Sequence, residues 1–131
     1  MKRPNSTLGL HHLALIVQDM GESLKFYRDI LGMRVEWEPD QDNIYLTSGN
    51  DNLALHKAPT QFKMDPHQRL DHLGFILASP EDVDSWYAFM VEQGVVVKNQ
   101  PRTHRDGARS FYCQDPDGNV VQMIYHPPLA P

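Results

Sequence analysis

The sequence predicts an α+β fold made of two tandem βαβββ modules. Its length of 131 residues suits one compact domain better than two independent ones. The order strand, helix and three strands occurs twice, and matching residues lie 60 positions apart. The matches are Leu10 with Leu70, His12 with His72, Leu13 with Leu73, Ile16 with Ile76 and Tyr27 with Tyr87. We therefore assign 8–128 to a single domain, with a first module at 8–58, a linker at 59–69 and a second module at 70–127.

In the first module, a β-rich segment at 10–17 predicts the opening strand. The next segment carries apolar residues at helical spacing from Gly21 to Leu31, with Asp19 as a start signal and Gly32 as a stop signal. Three short runs separated by turn residues then predict three strands, at 33–38, 43–47 and 52–57.

The second module repeats this order. A strand is predicted at 70–77, and Ser79 followed by Pro80 is typical of a helix start. The helix is expected to end at Gly94. Three further strands are predicted at 95–99, 109–114 and 119–125, the last two joined by a turn at 115–118.

Composition excludes several classes of function. The formal net charge of −5 gives no attraction to nucleic acid or to an anionic membrane. The single cysteine, Cys113, excludes an internal disulfide and a CxxC motif. No segment resembles a signal peptide or a membrane span, so we predict a cytoplasmic protein.

Side-chain alternation along the strands collects polar residues on one face of the sheets. In the first strand Leu13, Leu15 and Val17 form the apolar row that a helix covers, which sends His12 to the opposite face. The same reasoning places four further residues on that face, namely His56, His72, Tyr112 and Gln122, and it places Cys113 on the helix side.

Two imidazoles and an amide oxygen, from His12, His72 and Gln122, are ligand types that suit divalent Fe, Mn, Ni, Co or Zn. Such a set leaves coordination positions open for water and a chelating substrate. The residues alone also fit a second interpretation, in which the histidines bond to neighbouring carbonyls and Gln122 is an ordinary polar residue.

Three segments resemble the vicinal oxygen chelate superfamily, which includes glyoxalase I, extradiol dioxygenases, fosfomycin resistance transferases and bleomycin resistance proteins. They are HHLALIVQDMGESLKFYRDILGMRV, DHLGFIL and FYCQDPDGNVVQ. The resemblance implies that each module curls into a half-barrel cleft that holds a divalent metal ion. It also implies a small-molecule substrate with vicinal oxygens, and a homodimer that completes the cleft.

The resemblance places His12, His72 and Gln122 on the family's ligand positions. Family enzymes usually have Glu where this chain has Gln122, and glyoxalases have a further ligand where Ala54 falls. His56 is the candidate substitute for that ligand, with a shift in register.

Tyr112 stands ten residues before Gln122, a spacing similar to that of the tyrosine and carboxylate of extradiol dioxygenases, and His104 lies close to the position of their acid/base histidine. This resemblance implies catalytic proton transfer by Tyr112 and His104. The other interpretations are a tyrosine that packs at the cleft wall and a histidine in a solvated loop. A basic cluster at Arg102, Arg105 and Arg109 could guide an anionic substrate or serve only solubility.

Two functions are therefore expected. The first is a metal-dependent small-molecule enzyme, a glyoxalase-like lyase or isomerase or a ring-cleaving dioxygenase. The second is a metal-free protein that binds a small molecule or antibiotic, as bleomycin resistance proteins do.

Overall fold

The computed structural model describes residues 1–65 and 67–129. The first half contains β1 (His12–Val17), α1 (Met20–Leu24) with a π-helical continuation (Lys25–Ile30), β2 (Arg34–Asp40), β3 (Asn43–Thr47) and β4 (Asn52–Lys57). The second half contains β5 (Leu73–Ile76), α2 (Pro80–Glu92), β6 (Arg102–Thr103), β7 (Arg109–Gln114), β8 (Val120–Tyr125) and a short 3-10 helix (Pro127–Leu129).

Each half builds its own four-stranded sheet. The strand orders are β1-β4-β3-β2 and β5-β8-β7-β6. The first strand of each half pairs in parallel with the last, and the remaining neighbours are antiparallel. The two sheets therefore have the same topology, and the predicted α+β class is confirmed.

The helices begin at the predicted signals. The Asp19 side chain accepts a hydrogen bond from the Glu22 N–H at 3.0 Å, and Ser79 accepts one from the Asp82 N–H at 3.2 Å. These bonds satisfy amides that have no partner within the first helical turn. After α2, Gly94 adopts a φ of +76°, a conformation that ends helices and favours glycine.

One hydrophobic core joins both sheets to the helices. Residues with no exposed surface come from each layer: Leu46 and Leu55 from the first sheet, Phe111 and Val121 from the second, and Val83 from α2. They alternate with the polar-face residues along the strands, as strand geometry requires. The core therefore lies between sheets and helices and leaves the opposite face of each sheet for a site.

The turn between β7 and β8 links the two halves. Tyr27, with no exposed surface, donates its hydroxyl hydrogen to Asp115 Oδ2 at 2.7 Å. The Asp117 carboxylate accepts the Gln18 N–H, with distances of 3.3 and 3.4 Å to its two oxygens. Burial, together with the negative Asp115, raises the pKa of Tyr27 well above 10.

The prediction of a strand at 95–99 is wrong. This segment makes one isolated bridge to β7, Val97 to Cys113, with a backbone hydrogen bond on either side of it. The strand that pairs with the beginning of β7 is β6. The Asn99 side chain accepts the Tyr112 N–H at 2.9 Å in place of a backbone carbonyl. Pro101, which has no N–H, then separates this segment from β6.

Three predicted boundaries also shift. The opening strand begins at His12 rather than Leu10, and β5 spans Leu73–Ile76 rather than 70–77. The first helix is α-helical only to Leu24 and continues as the π-helical segment. His72 therefore lies immediately before β5 rather than within it.

No helix in the described part of the chain is long and apolar enough to cross a membrane.

Candidate metal centre

Four polar side chains meet on the open face of the second sheet. Gln122 Nε2 donates to Ser110 Oγ and to Tyr112 Oη, both at 3.1 Å. The rings of His72 and Tyr112 meet edge to face, with centroids 5.4 Å apart. Tyr112 of β7 and Gln122 of β8 are register partners, so the strand pairing brings them together. The structure thus gathers three of the predicted residues, His72, Tyr112 and Gln122, at one place.

His104 joins the edge of this group. It lies in the hairpin between β6 and β7, and its Nε2 is 3.4 Å from Ser110 Oγ. Arg102 is the register partner of Ser110, so it shares the open face. Arg109 lies on the helix side instead, where it pairs with Asp84 of α2 at 2.7 Å. The predicted cluster of three arginines is therefore divided between the two faces.

The other two predicted histidines belong to the first sheet. His12 Nδ1 is 2.7 Å from Asn52 Oδ1, and His56 Nδ1 is 2.6 Å from Asn43 Oδ1. In the register of β1 and β4, His12 faces Asn52 whereas His56 faces Ile16. The two positions are four residue steps apart along the strands, a distance of about 13 Å. His12 and His56 therefore lie at opposite ends of the face.

The histidine environments fit a divalent metal ion. A side-chain oxygen faces Nδ1 of His12, His56 and His72, and in His72 it belongs to Asp71 at 2.6 Å. In a neutral imidazole, an oxygen acceptor at this distance places the ring proton on Nδ1 and leaves the lone pair on Nε2. A metal-binding histidine commonly has this arrangement, in which one nitrogen is held by a neighbour and the other faces the ion.

The side-chain oxygen of Gln122 has no hydrogen-bond partner among the described residues, so it is available to a cation. The amide nitrogen makes both hydrogen bonds, so Oε1 turns toward Gly74 on the neighbouring strand. A Cβ atom at Gly74 would lie 3.8 Å from this oxygen, which is ordinary contact. An amide oxygen is an acceptable ligand for divalent Fe, Mn, Ni, Co or Zn.

The predicted ligands His12, His72 and Gln122 include only two residues of the types His, Cys, Asp and Glu. Nowhere in 1–65 and 67–129 do three or more His, Cys, Asp or Glu residues form a group that could hold an ion. Ala54 has no exposed surface and offers no ligand atom. Cys113 is also buried, which, together with the nearby Asp115, raises the pKa of its thiol to about 12 and removes it from nucleophilic chemistry.

Two of the cavities on the surface of the described chain lie beside β1 and β6. The first, of about 580 Å³, lies along β1 and is bounded by Phe62, Met64 and the turn at 117–119. The second, of about 630 Å³, is lined by residues 102–106 and so includes His104. His12, His72 and Gln122 line neither cavity. The candidate ligands therefore lie outside both of these cavities.

Sequence reasoning missed the side chains that support the histidines. Asn52, Asn43 and Asp71 each hold an imidazole, and no role was predicted for them. A signal existed for Asn52, because the alternation that places Ala54 and His56 on the open face also places residue 52 there. The pairing of Asn52 with His12 depends on the parallel register of β1 and β4, which alternation does not give.

Comparison with known proteins identifies the family. The family model described as the Glyoxalase/Bleomycin resistance protein/Dioxygenase superfamily matches residues 9–123. The chain belongs to this superfamily. The recognition of vicinal oxygen chelate proteins in the sequence is confirmed.

The chain is similar to several members of the superfamily. A metallothiol transferase FosB of Staphylococcus epidermidis is 28% identical over 88% of this chain and 81% of that protein. An uncharacterized protein of Bacillus subtilis, YraH, is 28% identical over 87% of this chain and 95% of that one. Among solved structures, a glyoxalase/dioxygenase of Nostoc punctiforme has 27% identity and a TM-score of 0.78, with 95% of this chain and 99% of that one covered. A lactoylglutathione lyase of Agrobacterium tumefaciens has a TM-score of 0.76 at 20% identity, over 95% and 98% of the two chains, and shows the fold alone.

Proposed function

We propose that this protein is a metal-dependent enzyme that acts on a small molecule with vicinal oxygens. The observation that carries the proposal is that His12 and His72, which correspond in the two modules, have the same hydrogen-bonding arrangement. Each has an oxygen acceptor at Nδ1, which in the neutral ring leaves Nε2 as the ligand atom. Two relatives have the names of enzymes, a metallothiol transferase and a lactoylglutathione lyase. The first of these names refers to a metal.

In this proposal His12, His72 and Gln122 hold a divalent ion, which would act as a Lewis acid toward the substrate oxygens. Gln122 contributes no negative charge, so the cation keeps more of its charge for the substrate than beside a carboxylate. Tyr112 is placed to donate or accept a hydrogen bond at a bound substrate, since its hydroxyl already contacts Gln122. His104 is the proposed proton-transfer group at the edge of the site, reached through Ser110.

We further propose that a homodimer completes the site, with His12 of one chain beside His72 and Gln122 of its partner. Two observations support this arrangement. His12 belongs to the first sheet, whereas His72, Tyr112 and Gln122 meet at the second. On the same face, Ile16 and Ile76 are 60% and 45% exposed, and a second copy would remove this apolar surface from water.

The test measures metal content of protein purified without chelators. We expect near-stoichiometric divalent metal in the wild type, and its loss in His12→Ala and in His72→Ala. The matched control is His67→Ala, which removes an exposed histidine outside the strands. Equal metal content in all four proteins would contradict the proposal.

Mixing the two defective variants tests the dimer. If each site takes His12 from one chain and His72 from the other, a His12→Ala/His72→Ala heterodimer contains one intact site and one site that lacks both residues. We expect the mixture to regain metal after exchange of subunits. A site built within each chain would leave every site defective, and no metal would return.

A metal-free binding protein is the second candidate function. Gln122 stands where enzymes of the superfamily usually have Glu, and Ala54 stands where glyoxalases have a further ligand; both differences favour it. Wild-type protein that binds no divalent ion, yet binds a small molecule at this face, would support this function instead.

A further inference from the structure

An amide and a carboxylate stand behind the His12 imidazole. Asn52 Oδ1 lies 2.7 Å from His12 Nδ1, and Asn52 Nδ2 donates to Glu36 Oε2 at 3.3 Å. Imidazole, amide and carboxylate therefore form a continuous chain of hydrogen bonds across the first sheet.

A β-bulge gives Glu36 its position. Val35 pairs with Leu46 and Trp37 pairs with Tyr45, which leaves Glu36 as an extra residue of β2 without a partner on β3. An extra residue interrupts the alternation of side chains, so two successive residues can point to one face. The contact of Trp37 with Tyr45 and the bond of Glu36 with Asn52 fit this local geometry.

The same chemical order occurs a second time on this sheet. Asn43 Oδ1 lies 2.6 Å from His56 Nδ1, and Asn43 Nδ2 donates to the two oxygens of Asp40 at 3.0 and 3.2 Å. Here Asn43 is the register partner of both other residues. The second chain of hydrogen bonds supplies a built-in comparison for the first.

The carboxylate determines the orientation of the amide, and the amide determines the tautomer of the ring. An ionised carboxylate only accepts hydrogen bonds, so it draws the NH₂ group of Asn52 toward itself. The Oδ1 atom is then directed at the imidazole and requires a proton on Nδ1. Without Glu36, Asn52 can turn over and present its NH₂ group, which selects the other tautomer.

We propose that Asn52 and Glu36 are positioning residues that hold His12 in its Nδ1–H tautomer, with Nε2 presented to a divalent cation. The role of the cation rests on the proposed function, whereas the tautomer is a property of the metal-free chain. The two claims can therefore fail separately.

The experiment reads the tautomer directly, from the ¹⁵N chemical shifts of histidine in metal-free, ¹⁵N-labelled protein. Spectra are recorded at a pH of about 8, where an ordinary imidazole is neutral. We expect His12 to be the Nδ1–H tautomer in the wild type and a mixture in Asn52→Ala. Asn52→Asp should restore it, because a carboxylate oxygen still accepts the Nδ1 proton. Asn43→Ala is the matched control and should change His56 alone.

Glu36→Ala provides an independent variant at an exposed position. It should also give a mixture at His12, although it does not touch the ring. Zn²⁺ titration of the same proteins should show affinity weakened about tenfold or more in Asn52→Ala and retained in Asn52→Asp.

A single Nδ1–H tautomer of His12 in both Asn52→Ala and Glu36→Ala would overturn the inference, as would equal effects of Asn52→Ala and Asn43→Ala on His12. If wild-type protein bound no Zn²⁺ while the tautomer changed as expected, the positioning role would stand and the proposed metal function would fail.

Discussion

Removal of the Tyr27 hydroxyl by Tyr27→Phe should weaken the junction between the two halves. This hydroxyl donates to Asp115, a buried carboxylate that also accepts from the Asp117 N–H, the Asn119 N–H and the Asn119 side chain. The carboxylate therefore keeps three donors in the variant and is not left unpaired. Loss of one hydrogen bond to a charged group should cost about 2 kcal/mol of unfolding free energy. For 131 residues this corresponds to a fall of about 7 °C in Tm.

Urea unfolding at neutral pH provides the measurement, with an unchanged dependence on denaturant as the sign that both proteins unfold in the same way. Tyr87→Phe is the matched control, because Tyr87 occupies the corresponding position of the second module. Tyr87 packs against Phe111 with centroids 5.6 Å apart, and no partner of its hydroxyl is found among the described residues. Its loss should cost much less.

The effect should also depend on pH. The pKa of Tyr27 is raised in the folded protein, first by burial and then by the charge of Asp115. Its contribution to stability is therefore complete below the unfolded pKa of about 10 and is lost as the pH rises above it. The difference between wild type and Tyr27→Phe should shrink at alkaline pH. Equal losses in Tyr27→Phe and Tyr87→Phe, or a difference that stays constant with pH, would refute this reasoning.

Three other predictions concern the metal ligand, the thiol and the second carboxylate of the turn. Gln122→Glu should tighten Zn²⁺ binding by about tenfold or more in a competition titration, because it adds a negative charge beside the cation, and unchanged affinity would remove Gln122 from the ligand set. Cys113 should resist alkylation at neutral pH in the folded protein and react fully in urea, because burial raises the pKa of its thiol to about 12; rapid reaction of the folded protein would contradict its placement. Burial also raises the pKa of Asp117. The ionised Asp117 carboxylate therefore destabilises the folded protein at neutral pH, and this destabilisation is lost as the carboxylate becomes protonated in acid. Asp117→Asn should therefore stabilise the protein at neutral pH and lose this advantage in acid. A stabilisation that grew as the pH fell would contradict this reasoning.

Alternation and capping were enough to predict the architecture, because both depend on neighbours in sequence. Val17, Leu55 and Phe111 are buried as their strand positions require, and Asp19 and Ser79 begin the two helices. The failed strand at 95–99 shows the limit of this reasoning. Its apolar residues fit a strand, but the side chain of Asn99 takes a backbone hydrogen bond and ends the pairing. A hydropathy pattern does not show that a side chain will accept this N–H in place of a backbone carbonyl.

The candidate site was predicted only in part for a related reason. Alternation indicates a face but not a register, so it grouped His12, His56 and Gln122 without distances between them. The register separates His12 from His56 and brings Gln122 to Tyr112. The Glu36–Asn52 pair depends in addition on a bulge in β2, which shifts the alternation at one residue. Charge, register and bulge must all be known before this pair can be found.

The internal repeat explains why matching positions can have different roles. Tyr27 and Tyr87 occupy the same place in the two modules, yet only Tyr27 meets a carboxylate of the opposite half. His12 and His72 also correspond, but an amide holds the first and a carboxylate holds the second. A carboxylate acceptor makes the imidazole a stronger donor to a metal than an amide does. Replacement of Asp71 by Asn would make the two imidazoles alike. Zn²⁺ affinity should then fall while His72 remains an Nδ1–H tautomer, and unchanged affinity would show that the two acceptors are interchangeable.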